Sequence, residues 1–400
     1  MNATSPRRSL LAAGTAHAVH DGMTDVIYVL LPLWQAQFGL SLAFTGALRG
    51  LYAGCMAGFQ VPATRLAARF GRRRLLLAGT VLAALAYALA GLSGALAGVC
   101  LALLLGGLGA STQHPLASAL VADAHGHDKA QARSALATYN FAGDLGKMAL
   151  PALVGLLLIS LSWQHSALLL AGLGLLAALL LARLLPPQPA ALPQESPVAG
   201  RGRALTPQAL GRGFAALWAT GVVDSGTRMG FLTFLPFVLR AKGAGSAGIG
   251  LALTLLFVGG ALGKLACAWL GRHLGLLKTV WLTEGCTALC ILLVLTLPLQ
   301  LSLCALPLLG LMLNGTSSVL YGCVPDLVPA ERRDHAFALF YTGTIGSGAL
   351  APTLFGWLGD HLGVDRAMQC VAGFVLLTLP LIFGVVRALH PGPSAAVDRQ

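Results

Sequence analysis

Long apolar stretches recur from one end of the chain to the other, and short polar connections separate them. Most of these stretches hold about 20 residues, the length that an α-helix needs to cross the hydrocarbon core of a bilayer. The pattern therefore predicts an all-α polytopic membrane protein with twelve transmembrane spans. We place them at 12–37, 43–64, 74–93, 96–121, 133–159, 165–185, 213–239, 247–269, 278–298, 301–324, 335–357 and 367–388.

The composition supports the same class of protein. Of the 400 residues, 56% are hydrophobic and 10% are charged, which is far less charge than a soluble domain carries. The net charge of +12 could suggest a nucleic-acid partner, but the basic residues lie in short connections between apolar stretches, so we predict none. The eight cysteines show no metal-ligand spacing, and we expect no metal, no disulfide and no cofactor. The first apolar stretch is too long and too charged for a cleavable signal peptide.

Lys and Arg are distributed unevenly between alternate connections, which predicts the orientation of the chain. Only Arg240, Lys242 and Arg366 fall in one set of connections, whereas clusters such as Arg72–Arg74 fall in the other set. Cytoplasmic connections carry the positive excess. We therefore predict a protein of the inner membrane with both termini in the cytoplasm.

The sequence divides into two similar halves. Residues 186–212 are rich in Pro, Ala and Gly without apolar periodicity, so we predict a flexible cytoplasmic linker between six-span halves at 1–185 and 213–400. Motifs recur in both halves in the same order, which indicates a duplicated unit: Asp21–Thr24 with Asp224–Thr227, Thr64–Gly71 with Ala268–Gly275, Val121–Asp123 with Val324–Asp326, and Gly143, Gly146, Pro151 and Gly155 with Gly343, Gly346, Pro352 and Gly356. Transporters built from parallel repeats bind substrate near the bilayer midplane, between the halves.

The first span carries a group of ionisable residues in the stretch HAVHDGMTD, at 17–25. Helical spacing places His17, Asp21 and Asp25 on one face. An Asp at the centre of a membrane helix costs roughly 2.5–3.5 kcal/mol on insertion scales, so such residues usually face a wet interior and have a function. We predict that Asp21, Asp25 and the repeat counterpart Asp224 take part in proton coupling. The alternative is that these groups cap or brace a neighbouring helix.

Two further pairs of opposite charges lie within the spans. Asp144 and Lys147 are three residues apart, and Asp224 and Arg228 are four apart. Each pair could neutralise itself along its own helix. Alternatively, the two cations bind an anionic substrate headgroup while an Asp exchanges protons.

The remaining ionisable residues of the spans allow two interpretations each. Arg49 either lines a cavity or extends its long side chain to the outer surface. His114, which precedes a proline, either packs in the core or contributes to the site. Lys264 and Glu284 lie nearer the predicted cytoplasmic ends of their spans, where we expect a structural or gating role.

The stretch TRLAARFGRR, at 64–73, resembles the signature G-x-L-x-D-R-x-G-R-R between spans 2 and 3 of the major facilitator superfamily. Ala68 replaces the Asp that helps to hold the cytoplasmic gate of the family shut through charge pairing. Substitute pairs are expected from Asp123 with Arg133, or from Asp326 with Arg332 and Arg333. The resemblance implies a cytoplasmic gate formed by Arg69, Gly71, Arg72, Arg73, Asp123, Arg133, Asp326 and Arg333.

Within that superfamily, three stretches are similar to the fosmidomycin-resistance type of efflux protein. They are HAVHDGMTDVIYVLLPL in span 1, GLGASTQHPLASALVADA in span 4 and NFAGDLGKMALPALVGL in span 5. Asp144 and Lys147 depart from the small polar residues expected there, so the substrate need not be the same. Since spans 1, 5 and 7 normally face the central cavity of the family, the resemblance implies a substrate cavity that includes His17, His20, Arg49, His114, Tyr139, Asp144, Lys147 and Arg228.

These observations predict a secondary transporter and not an enzyme. The GxGxxG-like stretches lie in apolar spans, outside a strand–turn–helix context, and no nucleotide-binding lysine loop indicates an ATP-driven pump. We expect a monomer that exports a small amphiphilic or anionic compound by proton antiport and alternating access. The alternative is a proton symporter that imports an organic anion. A sensor on the same fold would be expected to lack the charges of the cavity.

Overall fold

The computed structural model describes residues 6–125, 129–185, 206–329 and 332–389, and these residues are almost entirely helical, without strands. The first half contains α1 (Pro6–Phe38), α2 (Leu42–Gly58), α3 (Gln60–Phe70), α4 (Arg72–Ser93), α5 (Leu96–Ala110), α6 (Gln113–Ala124), α7 (Lys129–Leu157) and α8 (Trp163–Leu184). The second half contains α9 (Arg212–Ala241), α10 (Ser246–Thr296), α11 (Leu299–Gly322), α12 (Val324–Leu327), α13 (Arg333–Leu362), α14 (Val364–Val375) and α15 (Thr378–Leu389).

The helices confirm the predicted all-α fold, although several spans differ in detail. Span 2 is divided into α2 and α3, span 4 into α5 and α6, and span 12 into α14 and α15, whereas spans 8 and 9 are joined in α10. By length and composition, seven helical segments of the described chain could cross a membrane. The predicted linker at 186–212 lies mostly outside the described residues, and its last part holds a short 3-10 helix, Pro207–Leu210, and the start of α9.

Two glycines at matching positions of the repeat redirect the chain in the same way. Gly71 separates α3 from α4 with φ = +88°, and Gly275 breaks α10 with φ = +76°. Side chains with a Cβ rarely adopt this region. The correspondence between Thr64–Gly71 and Ala268–Gly275 in the sequence therefore reflects a shared backbone requirement.

Contacts divide the chain into two units. Each unit includes one short segment whose neighbours in the sequence belong to the other unit. One unit comprises Met1–Leu40, Leu48–Ser196 and Ala244–Thr254, and the other comprises Ser41–Ala47, Pro197–Gly243 and Leu255–Gln400. Polar contacts and close backbone approaches anchor each of these short segments to the unit that includes it.

In the second unit, the anchor is the carboxylate of Asp360. It accepts hydrogen bonds from the backbone N–H groups of Leu42 at 2.6 Å and of Ala43 at 2.9 Å. Amides at a helix N-terminus lack partners within the helix, and a carboxylate satisfies them well. In the first unit, the Thr254 hydroxyl donates to the carbonyl of Met148 at 2.6 Å. A Cβ on Gly155 would lie 2.6 Å from the carbonyl oxygen of Ser246.

The first unit is organised around the packing of α1 against α7. Gly22 and Gly146 allow the two backbones to meet, because a Cβ on Gly22 would lie 2.6 Å from the carbonyl oxygen of Gly146. Small residues permit close helix approach in membranes, where packing supplies much of the association energy. A core extends from this contact to α4, α6 and α8 and consists of Ala12, Ala13, Ala16, Leu76, Ala117, Leu120, Val121, Ala135, Tyr139, Leu181 and Leu185.

The second unit is organised in a similar way around α9, which packs against α13, α15 and α14. Its core joins α9 to the second part of α10, to α11 and to α15, and includes Phe214, Leu217, Val280, Leu320, Phe340 and Ile382. The equivalent glycines are not equally crowded, however. A Cβ on Gly346, the counterpart of Gly146, would find nothing within 4 Å.

This difference yields a first prediction. In Gly146→Ala the new methyl would lie 1.8 Å from the carbonyl oxygen of Ala18, so α7 must move away from α1. Overpacking of this kind costs about 1–3 kcal/mol. We expect a lower melting temperature for the purified variant in detergent, whereas the control Gly346→Ala should keep the wild-type value or exceed it. Equal melting temperatures for the two variants would contradict the packing described here.

Candidate functional site

A buried carboxylate in the middle of α1 gathers three histidines and a lysine around it. We call this group the acid–histidine cluster: His17, His20 and Asp21 on α1, His114 on α6 and Lys147 on α7. All five residues belong to the first unit. Asp21 is 5% exposed, so its charge must be compensated within the protein.

The two carboxylate oxygens of Asp21 face different partners. Oδ2 lies 3.1 Å from Nζ of Lys147 and 3.2 Å from Nε2 of His17. Oδ1 lies 3.6 Å from Nε2 of His114 and 4.0 Å from Nε2 of His20. The ammonium group therefore balances the charge of the carboxylate, and the imidazoles form the rest of its environment.

The imidazole of His17 is held in one orientation by α7. Its Nδ1 lies 2.9 Å from the backbone carbonyl oxygen of Tyr139, and its ring stacks on the Tyr139 ring with centroids 4.1 Å apart and 17° between the planes. A carbonyl only accepts hydrogen bonds, so Nδ1 carries the hydrogen in this contact. Nε2 is thereby left on the side of Asp21, close to the carboxylate but without a hydrogen-bond partner.

Helix geometry explains why these residues meet. His17 and Asp21 are one turn apart on α1. Gly143 faces them from α7, and a Cβ there would lie 2.7 Å from Cε1 of His17 and 2.9 Å from Oδ2 of Asp21. The absence of a side chain at Gly143 leaves room for both groups. His114 stands in the first turn of α6, beside Pro115.

The cluster is open on one side. The side chains of His114 and Lys147 are 41% and 31% exposed, in contrast to 4% for His17. A separate groove of about 430 Å³ runs between the N-terminal parts of α1 and α7. Its lining includes Arg7, Ala18 and Ala142 and none of the five residues of the cluster.

His17, Asp21 and His114 also present one potential metal-ligand atom each, all within 4.8 Å of one another. Such a group suits a transition-metal ion in general. Here the ammonium of Lys147 takes the place that a metal cation would take at Asp21, and like charges repel at this distance. A charged Lys147 therefore disfavours a metal ion at this position.

Arg49 lies deeper in the same unit, next to Asp25. Its guanidinium carbon lies 4.8 Å from the ring centroid of Tyr28 and 5.9 Å from that of Tyr52. Arg49 is 3% exposed, so it does not extend along the outer surface, which was one of the two sequence-based interpretations. Asp25 is 7% exposed and interacts electrostatically with both Lys147 and Arg49.

The second unit contains another buried polar group around Asp224, which is 3% exposed. Arg228 interacts electrostatically with Asp224, and its Nη1 donates to the Ser317 hydroxyl at 3.3 Å. Glu284 from α10 is 2% exposed and also interacts with Asp224. The sequence analysis assigned Glu284 to a structural or gating role. In the sequence, Glu284 stands out as a lone acidic residue between Thr283 and Thr287 in an apolar stretch.

The structure changes the expected pairing of Lys147. The spacing suggested an ion pair with Asp144, but Lys147 contacts Asp21 on a different helix. The electrostatic influence of Asp144 on the ammonium ranks behind those of Asp21 and Asp25. The contact of Lys147 with Asp21 therefore joins α1 to α7.

Five of the eight predicted gate residues lie around the ends of α3, α4 and α6. Asp123 pairs with Arg72 and not with Arg133. Arg73 donates to the backbone carbonyls of Leu185 and Ala182 at 2.5 and 2.8 Å.

Other gate residues have local contacts. Arg69 lies over the ring of Phe70 at 5.4 Å, and Arg333 donates to the carbonyl of Pro325 at 3.2 Å. In the described part of the chain, Asp326 forms no ion pair within 4.0 Å with Arg332 or Arg333.

The sequence profile of the Major Facilitator Superfamily matches residues 13–238 and 217–399. The chain belongs to the Major Facilitator Superfamily. It is similar to human monocarboxylate transporter 11, with 28% identity over 340 residues that cover 81% of this chain and 71% of the relative.

Solved structures agree on the fold. A bacterial homologue of the human lysosomal transporter Spinster gives a TM-score of 0.78 at 14% identity, covering 97% of this chain and 98% of that chain. A variant of the peptide transporter POT in complex with sulfate gives a TM-score of 0.77 at 14% identity, covering 95% and 94%. The protein is thus a multi-pass membrane transporter and not an enzyme, as predicted, while the resemblance to the fosmidomycin-resistance type stays a prediction.

The contact between Lys147 and Asp21 yields a second prediction, for this major facilitator protein in detergent. Lys147→Gln leaves Asp21 without its ammonium partner. Removing one member of a buried pair costs about 3–5 kcal/mol, and the exposure of the lysine side chain favours the lower end. We expect a clear fall in the melting temperature and its recovery in the double variant Asp21→Asn/Lys147→Gln.

The matched control is Asp144→Asn/Lys147→Gln, which removes the carboxylate on the same helix as the lysine. It should recover less stability than the variant that removes Asp21. Full recovery in the control and none with Asp21→Asn would restore the pairing suggested by sequence spacing.

Proposed function

We propose that this transporter couples the movement of a small organic anion to that of a proton, and that the acid–histidine cluster binds both. Alternating access between the two sides of the membrane is the transport mode. The contact between His17 and Asp21 is the observation that carries this proposal.

That contact favours the presence of a proton. His17 Nε2 and Asp21 Oδ2 lie 3.2 Å apart, and Nε2 is buried without a hydrogen-bond partner. Two lone pairs repel each other at this distance, so a proton on either group would stabilise the contact. The proton would belong either to an imidazolium or to a carboxylic acid. In both cases, the pair would hold one exchangeable proton.

Lys147 connects this proton to the charge of a substrate. Its ammonium contacts the same oxygen of Asp21 as His17 does. A proton on the carboxylate removes the counter-charge of the ammonium, whose side chain is 31% exposed. The attraction between unit charges at 4 Å is about 4 kcal/mol at an effective dielectric constant of 20. The ammonium can then bind an anionic group.

The direction of coupling follows from this arrangement. Because the proton makes the cation available, proton and anion favour each other's binding, and the effect is reciprocal. Two ligands that bind together are carried together, which is symport. The name of the human relative, a monocarboxylate transporter, indicates a ligand class that suits a lysine beside a protonated carboxylic acid.

Efflux by antiport, the mode expected from the family resemblance, requires a different relation between the two ligands of the site. Proton and substrate would have to exclude each other, as a cationic or amphiphilic compound would do if it replaced Lys147 at Asp21. The direction of gradient-driven transport separates the two modes.

The location of the protein in the cell is also a proposal. We infer the inner membrane, with both termini in the cytoplasm and a single chain as the working unit, from the basic residues of the connections. Arg72 and Arg73 belong to one of these basic connections, and they contact the ends of α6 and α8.

The third prediction tests coupling with purified protein in liposomes, with radiolabelled benzoate and fosmidomycin as carboxylate and phosphonate probes. For one proton per anion, an imposed difference of one pH unit stores about 1.4 kcal/mol and can drive roughly tenfold accumulation. We expect accumulation on the side of lower proton concentration. Asp21→Asn should abolish it while exchange of labelled for unlabelled anion continues.

The control is Asp365→Asn, which removes an exposed carboxylate outside the gate and the cavity and should leave accumulation unchanged. Uphill transport that survives Asp21→Asn would remove Asp21 from the mechanism. Accumulation in the opposite sense would replace symport by antiport.

A further inference from the structure

The first turn of α2 is fastened to the C-terminal end of α13 by a carboxylate. Asp360, in the last turn of α13, accepts hydrogen bonds from the backbone N–H groups of Leu42 at 2.6 Å and of Ala43 at 2.9 Å. Amides at the start of a helix have no acceptor within that helix, and a negative charge beside them is stabilising. We call this contact the α2 clamp.

Local contacts fix the turn that carries Asp360. The helix ends in the sequence WLGDHLG, at 357–363. The imidazole of His361 packs on the Trp357 ring with centroids 4.6 Å apart, and its Nδ1 lies 2.8 Å from the carbonyl oxygen of Trp357. Gly363 then ends the helix with φ = +86°, a region that residues with a Cβ rarely adopt. Asp360 is thus carried on a turn that is held on both sides.

The same pattern ends the first part of α10, but with a cation in place of the acid. Residues 269–275 read WLGRHLG. The His273 ring packs on the Trp269 ring with centroids 4.4 Å apart, and Nδ1 of His273 lies 2.8 Å from the Trp269 carbonyl oxygen. Arg272 takes the position of Asp360, and a guanidinium cannot accept hydrogen bonds. The shared residues shape the turn, whereas the clamp depends on Asp360.

Close glycine packing accompanies the clamp, and the repeat contains the same packing without the acid. A Cβ on Gly46 of α2 would lie 2.1 Å from the carbonyl oxygen of Pro352 on α13. A Cβ on Gly250 of α10 would lie 2.6 Å from the carbonyl oxygen of Pro151 on α7. Asp360 follows its proline by eight residues, and the residue at that distance in α7 is Ile159. The two contacts are therefore alike in packing and unequal in charge.

Both contacts involve a helix that passes from one unit into the other. α2 begins in the second unit with Ser41–Ala47 and continues in the first unit from Leu48. α10 begins in the first unit with Ala244–Thr254 and continues in the second unit from Leu255. If the units move as bodies during alternating access, one movement acts on both segments. Either the segments leave their present contacts, or α2 and α10 bend.

We propose that Asp360 is a releasable clamp that sets the balance between two conformations of this transporter. Its hydrogen bonds hold the start of α2 on the second unit, and their release lets Ser41–Ala47 and Ala244–Thr254 leave their present contacts together. The movement of the units rests on the alternating access proposed above, whereas the clamp does not depend on the proton or the anion. The rival arrangement is a permanent cap at Asp360, with α2 and α10 bending at their glycines.

Hydrogen–deuterium exchange of the purified full-length protein, read by mass spectrometry, distinguishes these arrangements without a substrate. Asp360→Ala removes both acceptors, so the amides near Leu42 should exchange faster under either arrangement. A releasable clamp also predicts faster exchange in Ala244–Thr254, which belongs to the other unit. The expected increase is roughly fivefold, the change in an opening equilibrium when the net stabilisation of one hydrogen bond is lost. The control Asp365→Ala, an exposed acid of α14, should leave both regions at the wild-type rate.

A disulfide tests the clamp in the opposite sense and keeps Asp360 in place. A Cβ on Gly359 would lie 3.7 Å from Cβ of Leu42, which is within the range of a disulfide. Oxidation of Leu42→Cys/Gly359→Cys should therefore lock the contact and slow exchange in Ala244–Thr254, and reduction should reverse the effect. The oxidised wild type, with its native cysteines, is the control.

The two variants together decide the proposal. It is overturned if exchange in Ala244–Thr254 stays at the wild-type rate both in Asp360→Ala and in the locked variant, because α2 is then capped permanently. If Asp360→Ala does not fold, the locked variant decides alone. Neither measurement uses a transported compound, so failure of the proposed symport and failure of the clamp are separate results.

Discussion

The charge of Asp21 is the constraint on which the first unit depends. A carboxylate that is 5% exposed in a helical bundle cannot be left without a partner, because water is not there to solvate it. An ammonium on one neighbouring helix and an imidazole on its own helix contact the same oxygen. A proton added to the carboxylate would weaken its attraction for the lysine. The coupling proposed above rests on this competition for one oxygen.

This compensation needs close packing between α1 and α7, and glycines provide it. Gly143 leaves space for the His17 and Asp21 side chains, and Gly146 lets the backbones meet at Ala18. The carbonyl of Tyr139, also on α7, fixes the His17 ring. Packing and electrostatics are therefore not separate features here. The small residues that bring the helices together also set the distance between the charges.

Much of the fold could be predicted from the sequence, because apolar length and glycine or proline positions act locally. The twelve spans and the break at Gly275 follow from such signals. The need of Asp21 for compensating partners could also be predicted, because the cost of burying a charge does not depend on which way the helix faces. Its partner could not, because spacing reports only neighbours on one helix, whereas Lys147 reaches Asp21 from another. Glu284 was assigned to a helix end for a related reason: its depth depends on the bend at Gly275 and its partners on the rotation of α10.

The duplicated scaffold carries different chemistry at equivalent positions. Asp21 and Asp224 correspond in the repeat and are equally buried, but the first meets a lysine from α7 and the second interacts with Arg228 on its own helix. In the first unit, three histidines and a lysine whose side chain is 31% exposed surround the acid. In the second, Arg228 and the buried carboxyl group of Glu284 interact with it. A duplicated fold therefore preserves the place of a buried acid, while the residues that face it differ between the two halves.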